Sequence, residues 1–333
     1  MSGTPEVSII VPAWNNEAEV GAALESCLAQ TRRTLEVVAV DDGSTDATAE
    51  VIRRYQGQDS RIRLLSHPSN RSPFQARRTG VFAARAPYVL FLDGDDELAP
   101  SAAEVTLEKS WREGSDLVGF AAEVLTPTGT RDSSFEARMT PRHETLVGDA
   151  IVPGLFPPVR PVQMQLWRAL YKTELLRWAY TRMPATLELY RADDLPILFF
   201  ASAAARLYTS VPDRLYRYHF QRGGSGQRVE SVDQFDFYLS SLDALEYMTP
   251  AVDRLAAGTH AGSMDLRRSY EAARLTVIGN LLKYLPGTER SDLAERCLAR
   301  LHARVSEQDT VRAAAQNGSR TGEPSGQLIL DSP

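Results

Sequence analysis

Residues 7–16 read Val-Ser-Ile-Ile-Val-Pro-Ala-Trp-Asn-Asn, an apolar run of strand length that ends in polar residues. Residues 17–30 then carry apolar side chains at helical spacing, and residues 36–40 form a second apolar run. The alternation continues through further apolar runs at 61–65 and 88–92. Such alternation predicts an α/β fold whose βαβ crossovers build a mostly parallel sheet. Because these strands are apolar throughout, we expect helices on both faces.

The pattern changes after residue 100. Residues 101–226 mix helix and strand signals, with a helix near 193–205 and two short strands within 206–220. Residues 227–304 are helical in pattern, and residues 305–333 have the composition of a disordered tail. We therefore predict one α/β unit over 1–226, a helical C-terminal extension and a loose tail.

Composition limits the class of protein. The chain has 333 residues, 43% of them hydrophobic, and a net charge of −6, which excludes a general nucleic-acid binder. Cys27 and Cys297 lie far apart, which argues against a disulfide framework and for a reducing compartment. The N-terminus lacks the basic segment of a signal peptide, and no apolar stretch has membrane-spanning length. We expect a cytoplasmic protein, with the inner face of a membrane as the alternative location.

Three carboxylates crowd the end of the strand at 88–92. Asp93, Asp95 and Asp96 lie within four residues, and no Lys or Arg follows before Lys109. Two such charges about 4 Å apart repel by about 4 kcal/mol at an effective dielectric of about 20. Carboxylates suit Mg²⁺ or Mn²⁺, which typically take one or two of them together with substrate phosphates. The alternative is a solvated turn whose aspartates cap the next helix.

Polar and aromatic residues also follow the first two strands, and ligands of parallel sheets bind beyond these carboxyl ends. Trp14 is able to stack on a flat base, and Asp42 is able to accept from the N–H edge of a nucleobase. A core tryptophan and a helix cap, with Asp46 as the capping residue, are the alternatives. Arg77, on the helix after the third strand, either reaches a diphosphate or faces solvent.

Two features lie downstream. Asp193 and Asp194 open a helix, where a carboxylate is favoured by the helix dipole and where a general base would also fit. His219, Arg222 and Ser225 belong to a strand end and a Gly-containing loop that could clamp phosphate oxygens. An ordinary glycine-rich loop with a structural histidine is the alternative.

The order of these segments resembles that of family 2 glycosyltransferases, over about residues 5–226. The matching segments are VSIIVPAWNN (7–16), VVAVDDGSTDAT (37–48), QARRTGV (75–81), YVLFLDGDDELAP (88–100), QLWRALYKTELL (165–176), RADDLPILFF (191–200) and RLYRYHFQRGGS (214–225). The resemblance implies a GT-A fold with a nucleotide-binding half over 1–100 and an acceptor half over 101–226. It also implies inverting transfer from a nucleotide-sugar, with a UDP-sugar as the first expectation, to an acceptor hydroxyl.

The resemblance also implies roles for single residues. Pro12 and Trp14 match the positions that line the nucleoside, and Asp42 matches the acid that contacts the base. Arg77 matches an arginine near the nucleotide and sugar. Asp93 and Asp95 match the DxD motif, with Asp95 as the direct ligand of Mg²⁺ or Mn²⁺.

Further roles fall in the second half. Asp194 matches the catalytic base, while Asp193 replaces the usual Glu of the same motif. His219, Arg222 and Ser225 fall where the family often has basic and hydroxyl groups on a mobile loop over the diphosphate. The chain departs from the pattern at Trp167–Tyr171, where WRALY replaces WNKLY, and at Arg78, where Asn is common.

Alternatives remain open at this stage. The first is an inactive nucleotide-sugar binder or scaffold of the same fold. A nucleotidyltransferase is disfavoured because no Gly-rich, Lys/Arg-bearing phosphate loop follows the first strand, and an oxidoreductase is disfavoured because no GxGxxG does. The acceptor is left as a glycan, a lipid-linked or a small molecule. The helical extension leaves homo-oligomerisation and peripheral membrane contact open.

Overall fold

The computed structural model describes residues 4–158, 162, 165–220, 229–258, 263–285 and 291–318. Its strands are β1 Val7–Ala13, β2 Leu35–Asp41, β3 Ile62–Ser66, β4 Tyr88–Phe91, β5 Glu97–Leu98, β6 Leu117–Leu125, β7 Thr145–Val147, β8 Ala169–Lys172 and β9 Leu207–His219. Its first eight helices are α1 Val20–Leu28, α2 Thr48–Gln58, α3 Pro73–Ala83, α4 Ala102–Glu113, α5 Ser133–Met139, α6 Ile151–Leu155, α7 Thr173–Tyr180 and α8 Asp194–Ala204. The C-terminal helices are α9 Val232–Leu239, α10 Ser241–Ala257, α11 Ser263–Lys283, α12 Ser291–His302 and α13 Glu307–Gly318.

The described strands form one sheet in the order β3-β2-β1-β4-β8-β6-β9-β5, with β7 paired to β9. Strands β1 to β4 are all parallel, as the βαβ pattern predicts. The second half is mixed, since β8 runs antiparallel to both β4 and β6. The carboxyl ends of β1, β2 and β4 therefore meet at one edge of the sheet, which is where the acidic and aromatic residues lie.

Helix α3 packs closely against β1. Every residue of β1 is buried, and a Cβ added at Gly80 would lie 2.3 Å from Cγ2 of Ile10. Only glycine permits this approach, which brings Arg77, one turn earlier on α3, over the edge of the sheet.

Strand β9 differs from the prediction of two short strands. It runs unbroken for 13 residues, and the register of its partner β6 shifts twice between Gly119 and Ala122. The sequence pattern suggests a break within this strand. In the structure β9 is continuous, and the irregularity lies in its register with β6. One strand therefore reaches from the start of β6 to the acidic turn after β4.

The C-terminal helices pack on the α/β unit, with α10 against α8 and α11 against α6. The Arg191 guanidinium lies 4.8 Å from the ring centroid of Tyr238, which stacks on Tyr284 at 4.0 Å. The structure also differs from the expected loose tail, because 307–318 form helix α13 against α11. Among the described residues, no helix combines the length and apolar character needed to cross a bilayer.

We expect Gly80→Ala to destabilise the fold, because the added methyl group collides with Ile10. Overpacking of this kind typically costs about 1–3 kcal/mol. Urea and thermal unfolding measure the effect. Gly57→Ala on α2 is the matched control, since a Cβ there meets nothing within 4 Å. The control should be neutral or stabilising by up to about 1 kcal/mol; equal behaviour of the two variants would contradict the close approach.

Candidate active site

The turn after β4 is anchored by Asp96. The hydroxyl of Tyr216 donates to Asp96 Oδ2 at 2.8 Å, and the amide of His219 donates to Oδ1 at 2.7 Å. The amide of Asp93 donates to the same Tyr216 hydroxyl at 3.1 Å. One of the three clustered carboxylates is thus consumed in fixing the turn to β9.

Asp95, the middle one of the three clustered carboxylates, is half-buried. Burial, together with the charges of Asp96 and Asp93, raises the pKa of Asp95 to about 7. Burial also raises the pKa of Asp96, which the hydrogen bonds from His219 and Tyr216 oppose. The turn therefore holds more negative charge than its surroundings offset.

Arg77 joins this turn to the start of α8. Its Nη2 donates to Asp93 Oδ1 at 2.6 Å, while Nη1 donates to Asp193 and lies 3.4 Å from Asp194 Oδ1. The Arg77 side chain is only 8% exposed. A single guanidinium from α3 thus brings together acids that are about 100 positions apart in the sequence.

Asp194 is the first residue of α8 and follows Ala192, whose backbone is left-handed with φ 52°. The amide of Leu166 donates to Asp194 Oδ2 at 3.1 Å. Asp194 Oδ1 is buried and accepts no hydrogen bond among the described residues, and Arg77 Nε donates none. Burial, with smaller contributions from Asp193 and Asp93, raises the pKa of Asp194 to about 7 against the opposing charge of Arg77.

A short helical turn at 166–168 contacts both acidic groups. Leu166 holds Asp194, and the ring of Trp167 stacks on that of Tyr216 at 4.0 Å and 15°. Trp167 is buried, so this stack helps to hold the Tyr216 ring whose hydroxyl accepts from the amide of Asp93. Tyr216 and Trp167 have no assigned role in the sequence analysis, because their function depends on contacts across more than 45 positions of sequence.

The ends of β1 and β2 are joined by hydrogen bonds between their loops. The amide of Asn15 donates to Ser44 Oγ at 3.0 Å, and Asn15 Oδ1 accepts from the amide of Thr45 at 2.9 Å. Trp14, beside this junction, is 51% exposed. Pro12 is buried at the end of β1, and its carbonyl oxygen lies 3.2 Å from the Cβ position of Gly94, so it faces the acidic turn.

Asp42 lies buried just after β2. Its Oδ1 is 2.5 Å from Nδ1 of His67, and both its oxygens accept from the amide of Arg71 at 3.0 and 3.1 Å. Nε2 of His67 is 2.9 Å from Thr79 Oγ1, which connects Asp42 to α3. Sequence analysis misses His67, although its position directly after β3 puts it at the same edge of the sheet.

Helix α2 begins at Thr48, and Asp46 lies just before it, where its Oδ1 accepts from the amide of Thr48 at 3.0 Å. His219 is the last residue of β9 and is buried, not part of a loop; its ring nitrogens lie 3.6 Å from Asp96 and from Glu97. Arg222 and Ser225 lie outside the described residues.

Residues 8–146 match the family described as Glycosyl transferase family 2. EpsH of Bacillus subtilis, provisionally named a glycosyltransferase, is 29% identical over 229 residues, which are 68% of this chain and 64% of EpsH. The succinoglycan biosynthesis protein ExoO of Rhizobium meliloti is 28% identical over 240 residues, 72% of this chain and 68% of ExoO. An uncharacterized glycosyltransferase of Haemophilus influenzae is 38% identical, over only 41% of its length. The chain thus spans less than two thirds of the first and third of these relatives.

Two solved structures share the fold across nearly the whole chain. S. aureus TarS 1–349, in complex with UDP-GlcNAc, has a TM-score of 0.56 and 19% identity, covering 98% of this chain and 95% of its own. The mannosyltransferase PcManGT from Pyrobaculum calidifontis, in complex with GDP-Man and Mn²⁺, has a TM-score of 0.56 and 17% identity, with coverage of 96% and 81%. The chain therefore shares the GT-A fold of these structures, and its residues 8–146 match the glycosyl transferase family 2 model.

Proposed function

We propose that this protein transfers a sugar from a UDP-sugar to an acceptor hydroxyl, with inversion at the anomeric carbon. The observation that carries the proposal is the Arg77 bridge between Asp93 and Asp194. Beside it, among the described residues, lie two buried atoms without a hydrogen bond: Arg77 Nε, and Asp194 Oδ1, which has the ion pair with Arg77 at 3.4 Å but accepts no hydrogen bond. Buried polar groups are normally paired, so a polar substrate is the natural partner for both.

The carboxylates of the turn after β4 are suited to bind a divalent cation that a diphosphate also contacts. Among the described residues, no three His, Cys, Asp or Glu side chains converge on a common metal position. Mg²⁺ and Mn²⁺ need only one or two carboxylates when substrate phosphates supply further oxygens. Asp95 and Asp93 are the proposed pair, because Asp96 is occupied by Tyr216 and His219. When bound, the ion would offset charge on the leaving diphosphate.

Asp194 is the proposed general base. Oδ2 is held by the amide of Leu166, which leaves Oδ1, ion-paired with Arg77 but without a hydrogen bond among the described residues, for a substrate hydroxyl. Asp194 accepts the hydroxyl proton as the acceptor oxygen bonds to the anomeric carbon. The bond from that carbon to the diphosphate oxygen breaks in the same step, so the nucleoside diphosphate leaves and the configuration inverts. A base with a pKa near the operating pH is well matched to this task.

The nucleoside is proposed to lie over the ends of β1 and β2. Trp14 is exposed enough to stack on a base, and Pro12 forms the adjacent wall. Asp42 keeps acceptor capacity beyond its bonds to His67 and Arg71, since a carboxylate has about four lone-pair sites. His219, Arg222 and Ser225 remain proposed contacts near the diphosphate, and residues 1–226 remain the proposed catalytic unit.

Asp194→Asn should lower turnover by about 10²–10⁴-fold, since the amide does not take up the proton. UDP binding, measured calorimetrically with Mn²⁺, should persist. Asp213→Asn, an exposed carboxylate on β9, is the matched control and should turn over normally. Transfer by Asp194→Asn at the wild-type rate would rule out this base.

The pH profile gives a second test. Asp194 acts only when ionised, and its pKa is raised to about 7, so kcat/KM should fall about tenfold per unit below that pH and level off above it. Saturating Mn²⁺ keeps Asp95 ionised and separates its titration from that of Asp194. An acidic limb centred near the ordinary aspartate value of about 4 would contradict the assignment.

Tyr216→Phe should weaken Mn²⁺-dependent UDP binding by about 10–100-fold, because groups that orient metal ligands contribute on this scale. The variant loses the hydroxyl that Asp93 and Asp96 share, while KM for the acceptor should not change. Tyr270→Phe is the control, since it too removes a buried tyrosine hydroxyl, one that donates to the backbone carbonyl of Leu245 instead of to a carboxylate. If Mn²⁺-dependent UDP binding is weakened equally in both variants, Tyr216 only stabilises the fold and does not position the metal ligands.

A further inference from the structure

A small cavity of about 40 Å³ lies between β6, β8 and the first turns of α8. Gln165, Arg168, Tyr171, Leu198 and Tyr208 are among the residues that line it. We propose that this cavity is a binding site for one oxyanion group, a carboxylate or a phosphate, with Arg168 and Gln165 as its ligands. In the resemblance described above, Asn stands where this chain has Arg168, so the guanidinium is a departure from that pattern.

Arg168 is buried without a counter-charge. The residue is only 7% exposed. Its Nη2 donates to the carbonyl of Met139, and its Nε has no hydrogen-bond partner among the described residues. No carboxylate lies within 4.0 Å of it in the described part of the chain. Burial lowers the pKa of Arg168 to about 10, and the nearby charge of Arg142 acts in the same direction. An unpaired buried charge is costly, so an anion would be strongly favoured here.

The adjacent sequence offers no acid to fill that role. Residues 159–164 read Val-Arg-Pro-Val-Gln-Met, without Asp or Glu. This neighbouring segment has no carboxylate to offer Arg168, so a ligand is the better source of the anion.

Gln165 gives the second, independent indication. Its Oε1 is buried and has no hydrogen-bond partner among the described residues. Rotation of the amide by half a turn exchanges Oε1 with Nε2, which would present a donor to an anion at the same place. A cavity of about 40 Å³ exceeds the roughly 10–15 Å³ that one water needs, and an oxyanion group fits it where a whole sugar ring does not.

The cavity adjoins the proposed base. Gln165 directly precedes Leu166, whose amide holds Asp194, and the hydroxyl of Tyr171 donates to the Leu166 carbonyl at 2.9 Å. Leu198 lies one turn beyond Asp194 on α8. If the proposed function holds, the oxyanion belongs to an acidic acceptor; a free ion is the other source of the same chemistry.

The test is thermal unfolding of the full chain, without sugar donor, in rising phosphate or acetate at constant ionic strength. Ligand binding to the folded state should raise the wild-type Tm by a few degrees at saturation. Arg168→Met should lose this dependence, and Gln165→Leu should weaken it. Arg206→Met is the control, because this arginine is 86% exposed. Phosphate bound elsewhere cancels in the comparison, since every variant keeps the other sites.

Methyl glucuronide and methyl glucoside distinguish the sources. An acidic acceptor is supported if the glucuronide, and not the glucoside, stabilises the wild type but not Arg168→Met. A response only to phosphate or acetate supports a free-ion site. If Arg168→Met does not fold, Arg168→Lys, which keeps the charge but loses the planar fork, should show a weakened dependence. Wild type and the Arg168 variants responding alike to every probe would overturn the proposal. The readout needs no sugar transfer, so its failure and that of the proposed function are distinguishable.

Discussion

The buried guanidinium of Arg77 is the constraint on which the rest of the site depends. Without it, Asp93, Asp193 and Asp194 would be like charges in a water-poor environment, and such charges repel strongly. Its position follows from helix packing, since Gly80 lets α3 approach β1 closely enough for Arg77 to reach all three acids. The geometry of this acidic cluster thus depends on the absence of a side chain at Gly80, one turn away from Arg77.

A second, uncharged brace complements this ion cluster. Trp167 stacks on Tyr216 while its neighbour Leu166 holds Asp194. Tyr216 in turn holds the backbone of Asp93 and the carboxylate of Asp96. The two acidic groups are therefore related through an aromatic stack as well as through Arg77. This double connection leaves little freedom in the distance between them.

The sequence predicts the ends of β1, β2 and β4 well, because a buried parallel strand needs a largely apolar run and polar or acidic residues follow where that run stops. Residues such as Asp42 and Asp93 are therefore recognisable as a candidate site before any contact is known. Their partners are not, because a tyrosine on an alternating strand, such as Tyr216, has the same pattern whether or not its hydroxyl bonds to a turn. The unbroken β9 is missed for a related reason, since bulges in β6 depend on pairing. The resemblance to a family supplies roles but is silent on Arg168, where this chain departs from it.

The packing of Arg191 on Tyr238 bears on how such proteins can diversify. Arg191 lies three positions before Asp194, and Tyr238 is held in turn by Tyr284 from the C-terminal helices. The chain segment that delivers Asp194 is thus buttressed by helices outside the matched family domain. Relatives with different C-terminal helices would therefore support the segment before Asp194 differently.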